Sequence, residues 1–197
     1  MANRAATIRR ETKETRIELT LDLDGTGRVS VETGIGFLDH MLDHFGKHSL
    51  TDLTVQAAGD LEVDDHHTAE DVAICLGQAI AEALGDKAGI RRYGSAAVPM
   101  DEALANVALD LSGRPAVVFN ARFSGDKIGT FDVQLVEQFL RGVANSCGMN
   151  LHVTVPSGSN DHHIAEAIFK AFAQAFRAAK EIDPDRGGEI PSTKGTL

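Results

Sequence analysis

The sequence predicts an α+β protein, built as an internally duplicated pair of β-β-α-β-α lobes in which each sheet is covered by helices on one face. Two observations carry this. DHHTAE at 65–70 recurs as DHHIAE at 161–166, an offset of 96 (65 to 161), and each copy opens a long amphipathic stretch. Upstream, DLTV at 52–55 lines up with NLHV at 150–153 at an offset of 98 (52 to 150), so a shift of two residues reconciles both matches. Self-similarity on this scale marks a repeated structural unit whose sheets bury one face against helices.

The elements follow in order. In IELTLDLDGTGRVSV (17–31), Ile17, Leu19, Leu21 and Leu23 alternate with polar residues, which predicts two strands about the turn DGTG. FLDHMLDHFGKH (37–48) predicts a helix with His40, His44 and His48 on one stripe, and DLTV predicts the next strand. After Asp65, a natural N-cap, Val72, Cys75, Leu76, Ala79, Ile80, Ala83 and Leu84 recur at helical spacing, and Gly85 ends the run. NVALDLSGRPAVVF (106–119), LVEQFLRGVANS (135–146), NLHV and AIFKAFAQAFRAAK (167–180) repeat that order. The expected units are a first lobe over 1–95, a second over 96–185 and a tail over 186–197. Residues 120–134 have no counterpart and predict a loop insertion or short extra hairpin. The Gly- and Pro-rich tail reads, by composition, as a frayed terminus.

Composition narrows the function. A chain of 197 residues with 43% hydrophobic content can bury a core. Its net charge of -10, from 19 Lys plus Arg against 29 Asp plus Glu, opposes a phosphate backbone and excludes nucleic acid as the expected partner. No run approaches the roughly 20 apolar residues of a membrane span, so no membrane partner is expected. Cys75 and Cys147 lie in apolar surroundings, as reduced core thiols do, and predict a cytoplasmic setting.

Histidine is the compositional oddity. His66 and His67 in a first helical turn, with Glu70 one turn on, form pairs at i, i+4 and i, i+3, and His162, His163 and Glu166 repeat them. Imidazole nitrogen with carboxylate oxygen suits Mn²⁺, Fe²⁺ or Zn²⁺, and the lack of thiolate argues against a closed structural zinc site. Adjacent helical residues point about 100° apart, so the paired histidines serve different ions and two related sites are expected. Imidazole must be neutral to bind, so affinity should fall below about pH 6. Gln138 stands opposite His40, which leaves the second half without an equivalent imidazole. His44 reads as part of a polar helix stripe. Such sites fit an enzyme, a metal-storing cage, or a di-metal hydrolase with a nucleophilic water.

GFLDHMLDHFGKH, DDHHTAEDVAICLGQAI, GIRRYGSAAVPMDEAL, LDLSGRP, GTFDVQLVEQF, DHHIAEAIFKAF and IPSTKG together resemble the successive motifs of the imidazoleglycerol-phosphate dehydratase family over essentially the whole chain. The resemblance implies dehydration of imidazole glycerol phosphate to imidazole acetol phosphate in histidine biosynthesis. It implies two Mn²⁺ per chain, other first-row divalent ions being alternatives, held by His40, His66, His67, Glu70, His162, His163 and Glu166. It assigns substrate contacts to Glu14, His40, His48, Arg92, Arg114, Lys170, Ser192 and Lys194, with Glu14 as general base and His48 as proton carrier. The last two contacts come from the tail. Without the resemblance, Glu14 would be a solvated charge in RRETKETR. Where some relatives carry a ligating histidine this chain has Gln138, so Gln138, Glu137 or water would take that place. Family members form trimers that assemble into a 24-subunit cage with sites between subunits. A storage cage needs no phosphate-binding cluster, so LDLSGRP and PSTKG favour the enzyme.

Overall fold

In a computed structural model that describes residues 4–197, each half begins one strand earlier than the pattern predicts. The first half runs β1 (Ala5–Glu11), β2 (Thr15–Asp22), β3 (Val29–Glu32), α1 (Gly36–Ser49), β4 (Asp52–Gly59) and α2 (His66–Leu84). The second runs β5 (Tyr93–Met100), β6 (Ala103–Asp110), β7 (Ala116–Asn120), α3 (Gln134–Cys147), β10 (Asn150–Ser157) and α4 (Asp161–Lys180). Between β7 and α3 lies the small hairpin of β8 (Lys127–Ile128) and β9 (Phe131–Asp132), within the segment expected as an insertion. The α+β duplication therefore stands, as β-β-β-α-β-α twice.

The added strands have weak alternation. The partly buried side of β1 includes Arg10, and its guanidinium reaches buried Asp71 at 2.9 Å; Asp71 also accepts the Thr15 hydroxyl at 2.5 Å. The half-buried side of β5 begins with Gly94, where a Cβ would lie 1.9 Å from the Ala175 carbonyl oxygen of α4, so only glycine permits that approach. Because β5 starts at Tyr93, it begins three residues before the second lobe's expected start at 96.

A second correction concerns pairing. The segments 17–31 and 106–119 do not fold as hairpins: the sheet orders are β1-β2-β4-β3 and β5-β6-β10-β7, so a later strand inserts between each pair. The inserted strand is antiparallel to β2 or β6 and parallel to β3 or β7. α1 or α3 makes the crossover that a parallel pairing needs.

The helices form one layer between the two sheets. α2 lies on β1 and β2, and α4 on β5 and β6, while the helix pairs α1·α4 and α2·α3 join the halves. Their buried side chains make a single core, which neither half would close alone. Contacts advance in the same direction in both pairs, from His40–Glu166 to Phe45–Phe172 and from Gln138–Glu70 toward Val143 and Gly77, so helices within a pair run parallel. Phe37 at the start of α1 packs on Phe131 just before α3 at 5.2 Å, which brings the N-terminal ends of both pairs together. Cys75 and Cys147 are buried and unpaired. Among the described residues no helix is long and apolar enough to cross a membrane.

Candidate functional site

At the N-terminal end of α4, Asn160 accepts the His162 and His163 amides at 2.9 and 3.3 Å. That cap holds both imidazoles in the first turn. Asp161 is tied down in turn by the Ser124 and Gly125 amides, each at 2.8 Å. Nε2 of His162 and Nε2 of His40, from α1, stand 3.0 and 2.8 Å from the same Glu166 oxygen. These three residues place one ligand atom each within 4.8 Å of one another. The Lys170 ammonium donates to the other Glu166 oxygen at 2.6 Å. Burial is the strongest single influence on Glu166 and favours protonation, yet the hydrogen bonds from Lys170, His40 and His162 outweigh it and hold the carboxyl well below its usual range.

His44 lies in the histidine stripe that spacing suggests, its ring 4.5 Å from that of His40 and 5.7 Å from that of His48, but the side chain is largely buried. Its Nε2 is buried without a hydrogen bond, 3.4 Å from Glu166 and misaligned with it. Burial lowers its pKa, and burial followed by the Lys170 charge lowers that of His48, whose ring stacks on His44. Both imidazoles are therefore neutral near pH 7.

The first half's cluster differs. Asp65 occupies the cap position of α2 without a side-chain cap bond; Asp64 instead accepts the His66 amide at 2.8 Å. Glu70 takes the Gln138 amide at 2.9 Å, the place that His40 fills opposite Glu166. The His67 ring donates Nδ1 to the Asp60 carboxylate, 3.0 Å from the nearer oxygen, and that bond is the chief cause of its raised pKa. Glu14 stands beside this pair: its carbonyl accepts the Asp60 amide at 3.1 Å, and its own amide is held by Thr12 Oγ1 at 3.1 Å. Its carboxylate is exposed at the β1–β2 corner. His163 is the matching case, with Nδ1 2.8 Å from Glu102 and a pKa raised chiefly by that bond.

The remaining predicted residues gather elsewhere. Arg92 makes two bonds to Asp110, at 2.6 and 2.9 Å, and a third to the Pro191 carbonyl at 2.9 Å. The tail is thus docked rather than frayed, with a second tie from the Gly89 amide to the Glu189 carbonyl at 2.9 Å. Ser192 Oγ accepts the Lys194 amide at 3.2 Å, and Arg114 turns back on the Ser112 carbonyl at 3.3 Å. The Arg92 amide bonds the Ala179 carbonyl, near the C-terminal end of α4. From His162 to Ala179 the helix rises about 26 Å at 1.5 Å per residue, so one chain keeps these cations far from its own histidine clusters.

Sequence reasoning did not single out Asp60, Glu102 or Lys87, and it left His44 out of the site. Lys87 is buried, its ammonium lies 3.6 Å from where a Gly113 Cβ would sit, and burial foremost lowers its pKa, with Arg92 and Arg114 adding to the effect. Asp60 and Glu102 had a signal in retrospect, since paired histidines need acceptors for their second ring nitrogen.

Fold and site define a class: a duplicated α+β protein with histidine–carboxylate clusters where its helices begin and a cation cluster where α4 ends. A family model described as imidazoleglycerol-phosphate dehydratase (IGPD) matches residues 33–176. The imidazoleglycerol-phosphate dehydratases of Rhodopseudomonas palustris (strain TIE-1) and Paracoccus denitrificans (strain Pd 1222) are each 58% identical over 194 residues, covering 98% of this chain and 98% and 100% of theirs. The crystal structure of the Staphylococcus aureus subsp. aureus N315 enzyme matches with a TM-score of 0.83 at 40% identity, over 91% of this chain and 99% of that one. That of IGPD from Pyrococcus furiosus in complex with (S)-C348 matches at 0.83 and 35%, over 96% and 100%. The chain belongs to the imidazoleglycerol-phosphate dehydratase family. It is a dehydrating lyase of histidine biosynthesis.

Proposed function

We propose that the chain dehydrates imidazole glycerol phosphate to imidazole acetol phosphate in the cytoplasm, with two divalent ions, Mn²⁺ first among them, in active sites completed between copies of the chain. The supporting observation is the separation of about 26 Å along α4 between His162 and Ala179, the residue to which Arg92 is bonded at the cation end. No single small substrate reaches both ends of one chain, so a second copy must bring its cations to the first copy's histidines.

The donor set suits the ions. His40, His162 and Glu166 converge as two imidazoles and a carboxylate, and His44 adds a buried nitrogen without a partner. His66, His67, Glu70 and His163 supply the same chemistry from the other motif and the neighbouring ring. When bound, such ions supply Lewis acidity to the substrate's imidazole ring. Arg92, Arg114, Ser192 and Lys194 would hold the phosphate, with Lys170 contributing a charge from α4. Glu14, exposed on a hydrogen-bonded corner beside His67, would accept the proton from the carbon next to the one that loses its hydroxyl. Neutral His48 would relay a proton to the departing hydroxyl, which leaves as water, and the resulting enol would tautomerise to the ketone.

The sheets support self-assembly. The exposed strand residues of the first sheet include Arg9, Glu11, Arg16, Glu18 and Glu32, whereas those of the second, among them Ser95, Ala97, Ala108, Val118 and Thr154, carry no formal charge. An uncharged face on a chain of net charge -10 is the one that like-charged copies meet at least electrostatic cost. The assembly proposed is trimers joined into a 24-mer. Incubation of purified protein with Mn²⁺ and imidazole glycerol phosphate tests the reaction: imidazole acetol phosphate should form, and folded protein giving none above a metal-free control would overturn it. Light scattering before and after chelation tests the shared sites, because a stable monomer with full activity would refute them.

A further inference from the structure

The two hairpin corners of the duplicated fold carry equivalent carboxylates in different employment. Register places Ala5 opposite Asp22 and Tyr93 opposite Asp110, an offset of 88 (5 to 93, 22 to 110) that carries Glu14 onto Glu102. Glu102 is fully engaged: Oε1 accepts the Ser159 and Asn160 amides at 3.0 and 2.8 Å and the Ser159 hydroxyl at 3.3 Å, while Oε2 takes His163 Nδ1 at 2.8 Å. Glu14 has no side-chain hydrogen bond among the described residues, because His67 finds its acceptor in Asp60. Asp60 opens a β4–α2 connection of six residues, 60–65, where the β10–α4 connection has three, 158–160. The longer loop brings in a carboxylate that the second half takes from its hairpin.

We propose that Asp60 and Glu102 are positioning residues for the two histidine pairs, each fixing its imidazole so that Nε2 presents the lone pair, and that recruiting Asp60 is what frees Glu14 for proton transfer. The inference rests on the metal-binding reading above. An ionised carboxylate only accepts, so Nδ1 must carry the ring hydrogen and the lone pair falls to Nε2. On neither ring does Nε2 have a hydrogen bond among the described residues, the exposed Asp101 carboxylate standing 3.7 Å from that of His163. Acceptors of this kind set ligand direction and basicity, and losing one typically costs about 10- to 100-fold in metal affinity.

The geometry predicts an order. In Glu102→Gln the side-chain carbonyl stays with the Ser159 and Asn160 amides, so the NH₂ group faces Nδ1 and drives the ring to the tautomer whose Nε2 is protonated. In Asp60→Asn both oxygen positions lie near Nδ1, at 3.2 and 3.0 Å, so the amide can turn its carbonyl to the ring. Mn²⁺ titration of the full-length protein, following free Mn²⁺ by electron paramagnetic resonance, should therefore show about 10- to 100-fold weaker binding in Glu102→Gln. Asp60→Asn should lose less, Glu14→Gln should bind as wild type, and excess Mn²⁺ should restore turnover to Glu102→Gln. Thermal melting checks folding, and should Glu102→Gln not fold, Asp60→Ala, which removes no helix cap, must weaken Mn²⁺ binding by itself. Wild-type affinity in Glu102→Gln, or equal losses in Glu102→Gln and Asp60→Asn, overturns the positioning role alone. A wild-type chain that takes up no Mn²⁺ overturns the metal reading and this inference with it.

Discussion

The helix pairs α1·α4 and α2·α3 are copies of one another in topology and differ in nearly everything that faces the interface. Between α1 and α4, Phe45 stacks on Phe172 at 5.4 Å and meets Phe176 at 5.6 Å. Between α2 and α3 the contact is made by glycines: a Cβ on Gly77 would lie 2.5 Å from the Val143 carbonyl oxygen, and one on Gly142 would lie 2.8 Å from Ala73 Cβ. The histidine ends differ similarly. Glu166 sits among His40, His162 and Lys170, whereas Glu70 meets the neutral Gln138, and the counterpart of Lys170 at an offset of 96 (74 to 170) is Ile74. Duplication thus fixes where each helix starts and which residues open it, while helix spacing and local charge are set separately in each helix pair.

The sharpest test of that asymmetry is at the hairpin corners. Glu14→Gln should lower turnover by a factor of about 10² to 10⁴ while leaving metal content near wild type, as expected for a proton acceptor outside both HHxxE motifs. Normal turnover would remove Glu14 from the mechanism, and loss of metal would show it to be a ligand.

Packing comes next in size. Phe172→Ala should cost about 3–5 kcal/mol by denaturant unfolding, since it empties the aromatic seam. Gly77→Ala should cost about 1–3 kcal/mol by forcing the glycine seam apart. Its counterpart in α4 is already alanine, Ala173, and a Gly77→Ala protein as stable as wild type would mean that the two seams tolerate the same spacing. At the histidine end, Gln138→His would give the first half the imidazole that His40 gives the second; Mn²⁺ affinity should rise by up to about tenfold in competition with a chelator. Unchanged or weaker binding would show that Gln138 is not placed as His40 is.

The smallest effect is a displaced pH window. The Asp60 and Glu102 hydrogen bonds, the largest influences on His67 and His163, raise both imidazole pKa values above 6.5. A base with a raised pKa keeps its proton to higher pH, and that proton must leave before metal binds. Mn²⁺ affinity should therefore begin to fall on acidification above pH 6.5, earlier than the pH of about 6 read from the sequence, and Asp60→Asn should move part of that fall downward. In the metal-free protein the same raised values contribute stability that is complete below pH 6.5 and lost as pH climbs through the folded pKa. An affinity that stays level down to about pH 6 would contradict the orientation of both rings.

Sequence alone determined what depends on local repetition. The doubled DHHxAE, the alternation of Ile17, Leu19, Leu21 and Leu23, and the spacing of Val72 through Leu84 each report a backbone period over a few turns, and the structure contains those strands and helices. Tertiary structure decided whatever depends on residues far apart in the chain. β1 and β5 were hidden because Arg10 and Gly94 interrupt the alternation, and both make sense only against Asp71 and Ala175 of the covering helices. The insertion of β4 between β2 and β3 follows from the crossover of α1, which hairpin logic does not see. His44 reads as a polar stripe until α4 brings Glu166 to 3.4 Å from its ring. Glu102 meets His163 only when the β5–β6 corner folds against the start of α4, Asp60 meets His67 only when the β4–α2 connection turns back on the helix it leads into, and the distance along α4 that sets the cations apart from the histidines appears only when the helix and the docked tail are placed together. Periodicity is written along a chain; acceptors, charges and distances are settled by what folds against it.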